Sequence, residues 1–190
     1  MNVTPVRVTP KDFFLHLLSI VALYVSAISF LVLIFQYVNL AFPDLLEQGY
    51  YFNSDGAYRA IRWAIASLIV IFPVYVLTTR FLNREYMKEP EKRELRVRKW
   101  LVYFTLFVAA LTIIGDLVRL IFNFLEGEIT VRFLLKVLAV FFVAGSVFYY
   151  YLQNLRGESP RVRYFIYAVF GVVAAVVVAG FFVIGSPQKE

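Results

Sequence analysis

Small and polar side chains recur at alternating steps of four and three along an apolar stretch, residues 100–123. The members of this polar stripe are Thr105, Ala109, Thr112, Asp116, Arg119 and Asn123. Their spacing places them on one face of a helix. In lipid such a face is costly unless it meets protein or water, and ionisable groups within a span mark ion pathways, proton relays or pairing sites. The stripe is therefore the first candidate for chemistry in this chain.

Two further cations are expected at a similar depth. Counting back from the turn at residues 126–128, Arg119 and Lys136 lie at nearly equal distances from it, and Arg62 begins from the same side. The sequence thus predicts a polar membrane cluster of Arg62, Asp116, Arg119, Asn123 and Lys136. Either Asp116 pairs with Arg119 or Lys136 and fixes a helical hairpin, or the cluster forms an outward-facing vestibule suited to an anion or a lipid headgroup.

Several classes of chemistry are excluded by composition. The chain has no cysteine, so disulfides, thiolate metal sites and Fe–S clusters cannot form. His16 is the single histidine, which excludes a site with several histidine ligands within one chain. We read His16 either as an interfacial side chain or as part of a proton relay. The sequence predicts no catalytic residue, no metal site and no cofactor.

The composition is that of an integral membrane protein. Hydrophobic residues make up 61% of the 190 residues, and the mean hydropathy is +0.73. Apolar runs exceed the roughly 18 residues that a spanning helix needs. The net charge of +6 is concentrated in short segments that flank the apolar runs. This pattern favours the positive-inside rule over nucleic-acid binding.

The fold class predicted is all-α, a polytopic bundle of five transmembrane helices. Thr9 is the expected N-cap of the first helix, and Pro73 is expected to kink the second. The highly charged segment 80–99 joins the second helix to the third and is either an orientation signal or a docking site. The predicted helices cover residues 10–40, 57–82, 91–125, 131–155 and 161–184.

Charge distribution predicts the orientation. The basic segments fall on one side of the membrane, and the acidic turns around Asp44 and Glu126 fall on the other. We therefore expect the N-terminus inside and the C-terminus outside, in a multi-pass protein of the inner (cytoplasmic) membrane. The expected partners are the lipid bilayer, including anionic lipids, and no nucleic acid.

Small residues indicate where helices pack closely. Gly171, Ala175 and Ala179 lie at i, i+4 and i+8 on the fifth helix and predict a helix-packing face, within the chain or between subunits. Ser19, Ser26 and their neighbours form a similar stripe on the first helix, which we expect to pair with the polar stripe.

Several runs resemble a family of bacterial integral membrane proteins that carry a domain of unknown function. The runs are LSIVALYVSAISFLVLIFQYVN, AIRWAIASLIVIFPVY, PEKRELRVRKWL and IIGDLVRLIFNFLEGEITVRFLLKVL. The resemblance covers about residues 12–156. It implies a four-helix membrane module, residues 1–156, followed by an additional C-terminal transmembrane helix, residues 157–190. It implies no activity.

Two functions remain open on the sequence. The first is a non-enzymatic helix-packing module that self-associates or binds a membrane protein partner. The alternative is a small oligomeric channel or transporter with a polar outer vestibule around Asp116, Arg119 and Lys136. Charge reversal within the vestibule would distinguish the two, because only lining residues set ion selectivity.

Overall fold

The computed structural model describes residues 9–42, 54–127, 129–156 and 160–185. These ranges contain α-helices and one short 3₁₀ turn, with no strand among them, so the all-α prediction is confirmed. The helices are α1 (Pro10–Ala41), α2 (Ser54–Lys88), α3 (Arg96–Glu126), α4 (Val131–Arg156) and α5 (Pro160–Gly185), and the 3₁₀ turn spans Pro90–Glu94. The acidic turn around Asp44 lies outside the described residues.

Helices α1 to α4 are each long and apolar enough to cross a membrane. This confirms a helical bundle compatible with a multi-pass membrane protein. The described apolar part of α5, Tyr167–Phe182, is shorter than the other candidate spans. That α5 crosses the bilayer, and that the N-terminus lies inside, therefore stay predictions.

The helix ends follow from local chemistry. Thr9 caps α1 as predicted: the Asp12 amide donates to Oγ1 of Thr9 at 3.2 Å, and the Thr9 hydroxyl donates to Oδ2 of Asp12 at 2.7 Å. At the other end of the bundle α3 stops at Gly127, whose φ of 76° is left-handed and favours glycine. The tight turn expected at residues 126–128 thus begins at this glycine.

The start of α3 differs from its prediction. We expected a continuous helix from about residue 91, but the 3₁₀ turn occupies Pro90–Glu94 and α3 begins at Arg96. Leu95 between them is extended, with φ −54° and ψ 127°, and is 4% exposed. Burial of this leucine holds the break in place, so α3 starts about one turn later than its helix-forming residues alone predict.

The packing order of the helices also corrects an expectation. We expected the small-residue stripe of α1 to pair with the polar stripe of α3, yet α1 packs chiefly against α2, and α3 chiefly against α4. The Ser19 hydroxyl lies 3.3 Å from the Thr79 hydroxyl of α2. Small residues on both helices, including Ala22 on α1 and Ala64 on α2, are buried and allow this close approach.

The bundle interior differs between its two ends. At the end where α1 finishes and α2 begins, the interior described is mainly hydrophobic. We call this set the apolar cluster; its buried members are Phe30, Leu33, Ile61, Ala64, Ile65 and Leu68. At the opposite end, Leu23, Val102 and Tyr151 pack with further tyrosines. One half of the interior is therefore apolar and the other carries many hydroxyl groups.

Helix α5 docks on the apolar cluster through a glycine. A Cβ at Gly180 would overlap the hydroxyl of Tyr37 and lie 2.6 Å from Cδ1 of Ile65. The Tyr37 hydroxyl also donates to the carbonyl oxygen of Val176 at 3.4 Å. Gly180 thus lets the backbone of α5 approach α1 and α2 closely, whereas Gly171 has no atom near its missing Cβ.

Replacement of Gly180 by valine is expected to displace α5. Overpacking at such a contact costs about 1–3 kcal/mol of unfolding free energy. Thermal unfolding of the purified protein in detergent measures the loss. Gly171→Val is the matched control, because its side chain enters open space. Equal unfolding midpoints for the two variants would contradict this docking role.

Candidate functional site

A polar cavity lies between α1, α2, α3 and α4, at the end of the bundle where α2 finishes and α3 begins. Its volume is about 50 Å³, and it is partly open. Its polar lining comes from all four helices: His16 and Ser19 of α1, Thr79, Asn83 and Tyr86 of α2, Arg98 of α3, and Tyr150, Tyr151 and Asn154 of α4. We refer to this site as the polar cavity.

His16 and Tyr86 form a buried wall of the polar cavity. Their exposed fractions are 7% and 6%. The rings stack with an interplanar angle of 17°, and the Tyr86 hydroxyl lies 3.1 Å from Nε2 of His16. The expectation that His16 reaches the membrane interface is therefore wrong. An imidazole so close to the helix end is instead covered because Tyr86 closes over it.

Arg98 brings a fixed positive charge to the same cavity. It donates from a terminal guanidinium nitrogen to the side-chain oxygen of Asn154 on α4. Its guanidinium carbon also lies 5.1 Å from the ring centroid of Tyr86. Such a cation over an aromatic ring is attracted by the ring quadrupole. The two contacts orient the guanidinium between α2 and α4.

Hydroxyl groups continue from the polar cavity toward the bundle centre. Ser19 contacts Thr79, and Tyr75 and Tyr151 are packed in the same half of the interior. Deeper along α1, the hydroxyls of Tyr24 and Ser26 are buried without a hydrogen-bond partner among the described residues. Buried polar groups of this kind are normally satisfied, by water where protein offers nothing. Polar character thus reaches about the middle of α1, where the apolar cluster begins.

A charge network closes the bundle beside the polar cavity. Lys92 of the 3₁₀ turn lies 3.6 Å from Oδ1 of Asp12, 3.8 Å from Oε2 of Glu85 and 3.3 Å from Oε2 of Glu89. Lys11 pairs with the other oxygen of Glu85 at 2.7 Å. We call these residues the clasp, since they tie the start of α1 to the segment that joins α2 and α3.

Lys92 is held in its charged form. Partial desolvation acts to lower its pKa, but the hydrogen bond to Glu89 and the charges of Asp12 and Glu85 outweigh it, so the pKa lies above 10.5. A raised lysine pKa contributes stability that is fully present below about pH 10.5 and is lost as the pH rises through the folded-state value. The clasp is therefore intact across the physiological range.

The predicted polar membrane cluster is only partly assembled within the chain. Arg62 and Arg119 are exposed, and the Nζ of Lys136 lies 5.7 Å from the ring centroid of Phe35. Asn123 donates to the backbone carbonyl of Arg119 at 2.9 Å, within α3. Whether the cluster has a structural or a binding role stays a prediction.

Within the polar membrane cluster, Asp116 has a buried oxygen whose need for a hydrogen bond is not met among the described residues. Its Oδ2 is buried and has no hydrogen-bond partner among the described residues. Arg119, three residues along the same helix, is near enough for its charge to act on the carboxylate. The rest of the polar stripe divides: Thr105 and Ala109 are buried, whereas Thr112 is exposed.

The predicted packing face of α5 points away from the described helices. Gly171, Ala175 and Ala179 are all exposed, while Gly180 beside them is buried. The contact within the chain therefore uses the neighbouring face. A role for Gly171, Ala175 and Ala179 between subunits stays a prediction.

Sequence reasoning missed the polar cavity. A signal was present on α2, where Tyr75, Thr79 and Asn83 lie at i, i+4 and i+8, with Tyr86 three residues further along the same face. Arg98 is one of many cations in the charged segment 80–99, and its spacing does not distinguish it from them. Only the fold brings these residues together with Asn154. Among the described residues no group of three or more potential metal ligands forms.

Comparison with known proteins identifies the family. A model of a domain of unknown function, DUF5671, matches residues 12–151, so the chain belongs to that family. The matched region takes in α2 and α3 and most of α1 and α4, and it contains every residue that lines the polar cavity except Asn154. No curated protein and no solved structure matches the chain.

Removal of the central clasp charge tests the network. Lys92→Met leaves Asp12, Glu85 and Glu89 without their shared cation, and a loss of about 1 kcal/mol of unfolding free energy is expected after allowance for solvent screening. Thermal unfolding in detergent at pH 7 measures it. Lys88→Met, which removes an exposed cation at the end of α2, is the control and should be neutral.

The pH dependence follows from the raised pKa of Lys92. The difference between the native protein and Lys92→Met should persist up to about pH 10.5 and vanish above the folded-state pKa, where the native lysine is also neutral. A difference that grows with alkaline pH would contradict this role of the clasp.

Proposed function

We propose that this chain is a non-enzymatic membrane module that associates with a second copy of itself through the outer half of α3. The observation that carries the proposal is the buried Oδ2 of Asp116, which has no partner among the described residues, next to the exposed Arg119. Both lie on a candidate membrane span. Thr112, Gly115 and Arg119 around Asp116 are exposed, so the described chain leaves this helix face only partly covered. Two opposite charges on such a face favour an occupant that carries the same two charges.

Asp116 and Arg119 lie at a depth where an unpaired charge is costly. The 31 residues of α3 rise about 46 Å, against a hydrocarbon core of about 30 Å. Asp116 lies five residues beyond the middle of the helix, which is about 8 Å along its axis. An unpaired charge in this region costs up to about 3 kcal/mol on the insertion scale.

The other polar groups of the stripe are satisfied by their own helix. Thr105 donates to the carbonyl of Leu101 and Thr112 donates to that of Val108, each at 2.9 Å. Asn123 similarly binds the backbone of α3. Asp116 and Arg119 are therefore the members of the stripe that gain most from hydrogen bonds and charge pairing with a second chain.

The surface around Asp116 suits close approach of another helix. Thr112, Gly115, Asp116 and Arg119 lie at i, i+3, i+4 and i+7, on one face of α3. A Cβ at Gly115 would meet no atom of the described chain, and Thr112 is exposed. Small residues at such positions allow the backbones of membrane helices to come together.

A two-fold dimer would pair the charges reciprocally. In such an interface the same patch is used on both copies, so Asp116 of each faces Arg119 of the other. The two residues differ by only about 4.5 Å in height along the helix, and side chains of this length span that offset. We further propose that the basic end of the bundle faces the cytoplasm, as the charge distribution indicates.

The alternative, an oligomeric channel or transporter, would need its path between subunits. The apolar cluster lies in the interior of the half that contains Asp116, so a polar path along the axis of one chain finds little support among the described residues there. A vestibule around Asp116, Arg119 and Lys136 would then form only after association. We therefore place self-association first and transport second.

A charge swap tests the proposed dimer. Asp116→Arg and Arg119→Asp should each weaken self-association about 10- to 100-fold, because like charges then face each other across the interface. The double variant, which exchanges the two residues, should recover most of the native affinity. Energy transfer between donor- and acceptor-labelled copies in liposomes, measured over a range of protein-to-lipid ratios, gives the affinities.

Arg59→Asp is the matched control, because Arg59 is an exposed cation at the same end of the bundle on α2. It should leave the affinity unchanged, and circular dichroism should show that every variant is folded. A native protein that stays monomeric at all ratios, or a swapped variant as weak as the single ones, would refute the reciprocal pairing.

A further inference from the structure

We propose that the polar cavity is a binding site for a small oxyanion of the phosphate class. The proposal is independent of self-association, because the cavity lies inside the bundle and at the end opposite Asp116. The anion is either free in solution or the phosphate of an anionic lipid headgroup; the chemistry of recognition is the same for both.

The lining has the electrostatic sign that an anion requires. Arg98 contributes a permanent positive charge, and no carboxylate occurs among the described residues that line the cavity. A guanidinium presents several N–H donors in a planar fork that matches the oxygen atoms of phosphate. Asp12, Glu85 and Glu89, which lie at this end of the bundle, are paired instead with Lys92 and Lys11 in the clasp.

Neutral donors surround the guanidinium. The amide side chains of Asn83 and Asn154 and the hydroxyls of Ser19, Thr79 and Tyr150 line the same space. Each can donate a hydrogen bond to an anionic oxygen. Helices α1 to α4 all supply hydrogen-bond donors, so the donors surround the cavity. Donors on several sides can replace the hydration shell of a small anion.

The site is built from side chains that are already held in place. His16 and Tyr86 are more than nine-tenths buried and bind each other. Tyr86 in turn lies beneath Arg98, and Asn154 accepts a hydrogen bond from Arg98. Preorganised donors bind an anion without the entropic cost of ordering flexible side chains.

Size and position limit the ligand. A cavity of about 50 Å³ has room for roughly three or four water molecules, which is the space that one small oxyanion needs. Tyr86, Arg98 and Asn154 lie within the first or last turn of their helices. The cavity therefore reaches the level at which a candidate span meets headgroups and solvent, so an anion can enter from either.

Phosphate binding should raise the thermal unfolding midpoint of the purified full chain. The first arm uses nanodiscs of phosphatidylcholine with inorganic phosphate, against chloride at equal ionic strength. The second arm adds phosphatidic acid to the nanodiscs. A saturable rise of about 3–6 °C at ten times the dissociation constant is expected in at least one arm. A rise with free phosphate identifies a soluble anion, and a rise only with phosphatidic acid identifies the lipid.

Two variants and one control tie the effect to the cavity. Arg98→Gln should abolish the rise, and so should Asn83→Leu, which removes a donor and fills space; the second variant serves if the first does not fold. Arg96→Gln removes an exposed cation two residues earlier on α3 and should retain the rise. No rise in either arm, or a rise that survives in both cavity variants, would overturn the proposal.

Discussion

A polar group within hydrocarbon has no water to bind, and the arrangement of this bundle follows from how each polar side chain meets that constraint. The threonines of α3 meet it locally, by donating to carbonyl oxygens of their own helix. His16 and Ser19 meet it across the interface between α1 and α2. Asp116 does not meet it within the described residues, because its buried oxygen has no hydrogen-bond partner there, and the charge of a carboxylate makes this more costly than at the hydroxyls of Tyr24 and Ser26.

The same constraint explains the division of the interior. Near the end that holds the clasp, polar groups from four helices are close enough to satisfy one another, and they enclose the polar cavity. Toward the opposite end, the buried cluster between α1 and α2 consists of apolar side chains, and α5 adds Val173, Val176 and Val177. A polar interior in that half would demand partners that these helices do not carry. The charges of that half accordingly lie toward the outside of the bundle.

Periodicity and capping residues predicted the elements well, since those signals are local. Thr9 is the N-cap of α1 as predicted, and α4 and α5 begin within one residue of their predicted starts. The start of α3 did not, because burial of Leu95 against other segments overrides local helix propensity. The burial of His16 was not predicted for a related reason. Tyr86, which covers the imidazole, is distant in sequence, and the pattern of neither helix shows that the two residues lie at the same level.

The polar cavity was harder to foresee than the polar stripe, for a geometrical reason. A stripe belongs to one helix and is visible as spacing, whereas the cavity takes one or a few residues from each of four helices. The packing order of the helices determines which residues line the cavity. Since α1 packs chiefly on α2, Ser19 lies against Thr79. Because α1, the expected partner of the polar stripe, packs chiefly against α2, part of the polar face of α3 stays uncovered.

Helix α3 takes part in both proposed interactions, with Arg98 near its start and Arg119 near its end. The two arginines are separated by 21 residues of continuous helix, about 32 Å. They therefore lie about as far apart as a hydrocarbon core is thick. Each is oriented by different neighbours, Asn154 and Tyr86 for Arg98 and Asp116 for Arg119. A rigid helix that ends in two binding groups can couple them only if it has two discrete positions. The clasp and the tight turn at Gly127 hold the segments at the two ends of α3, which favours two sites that act independently.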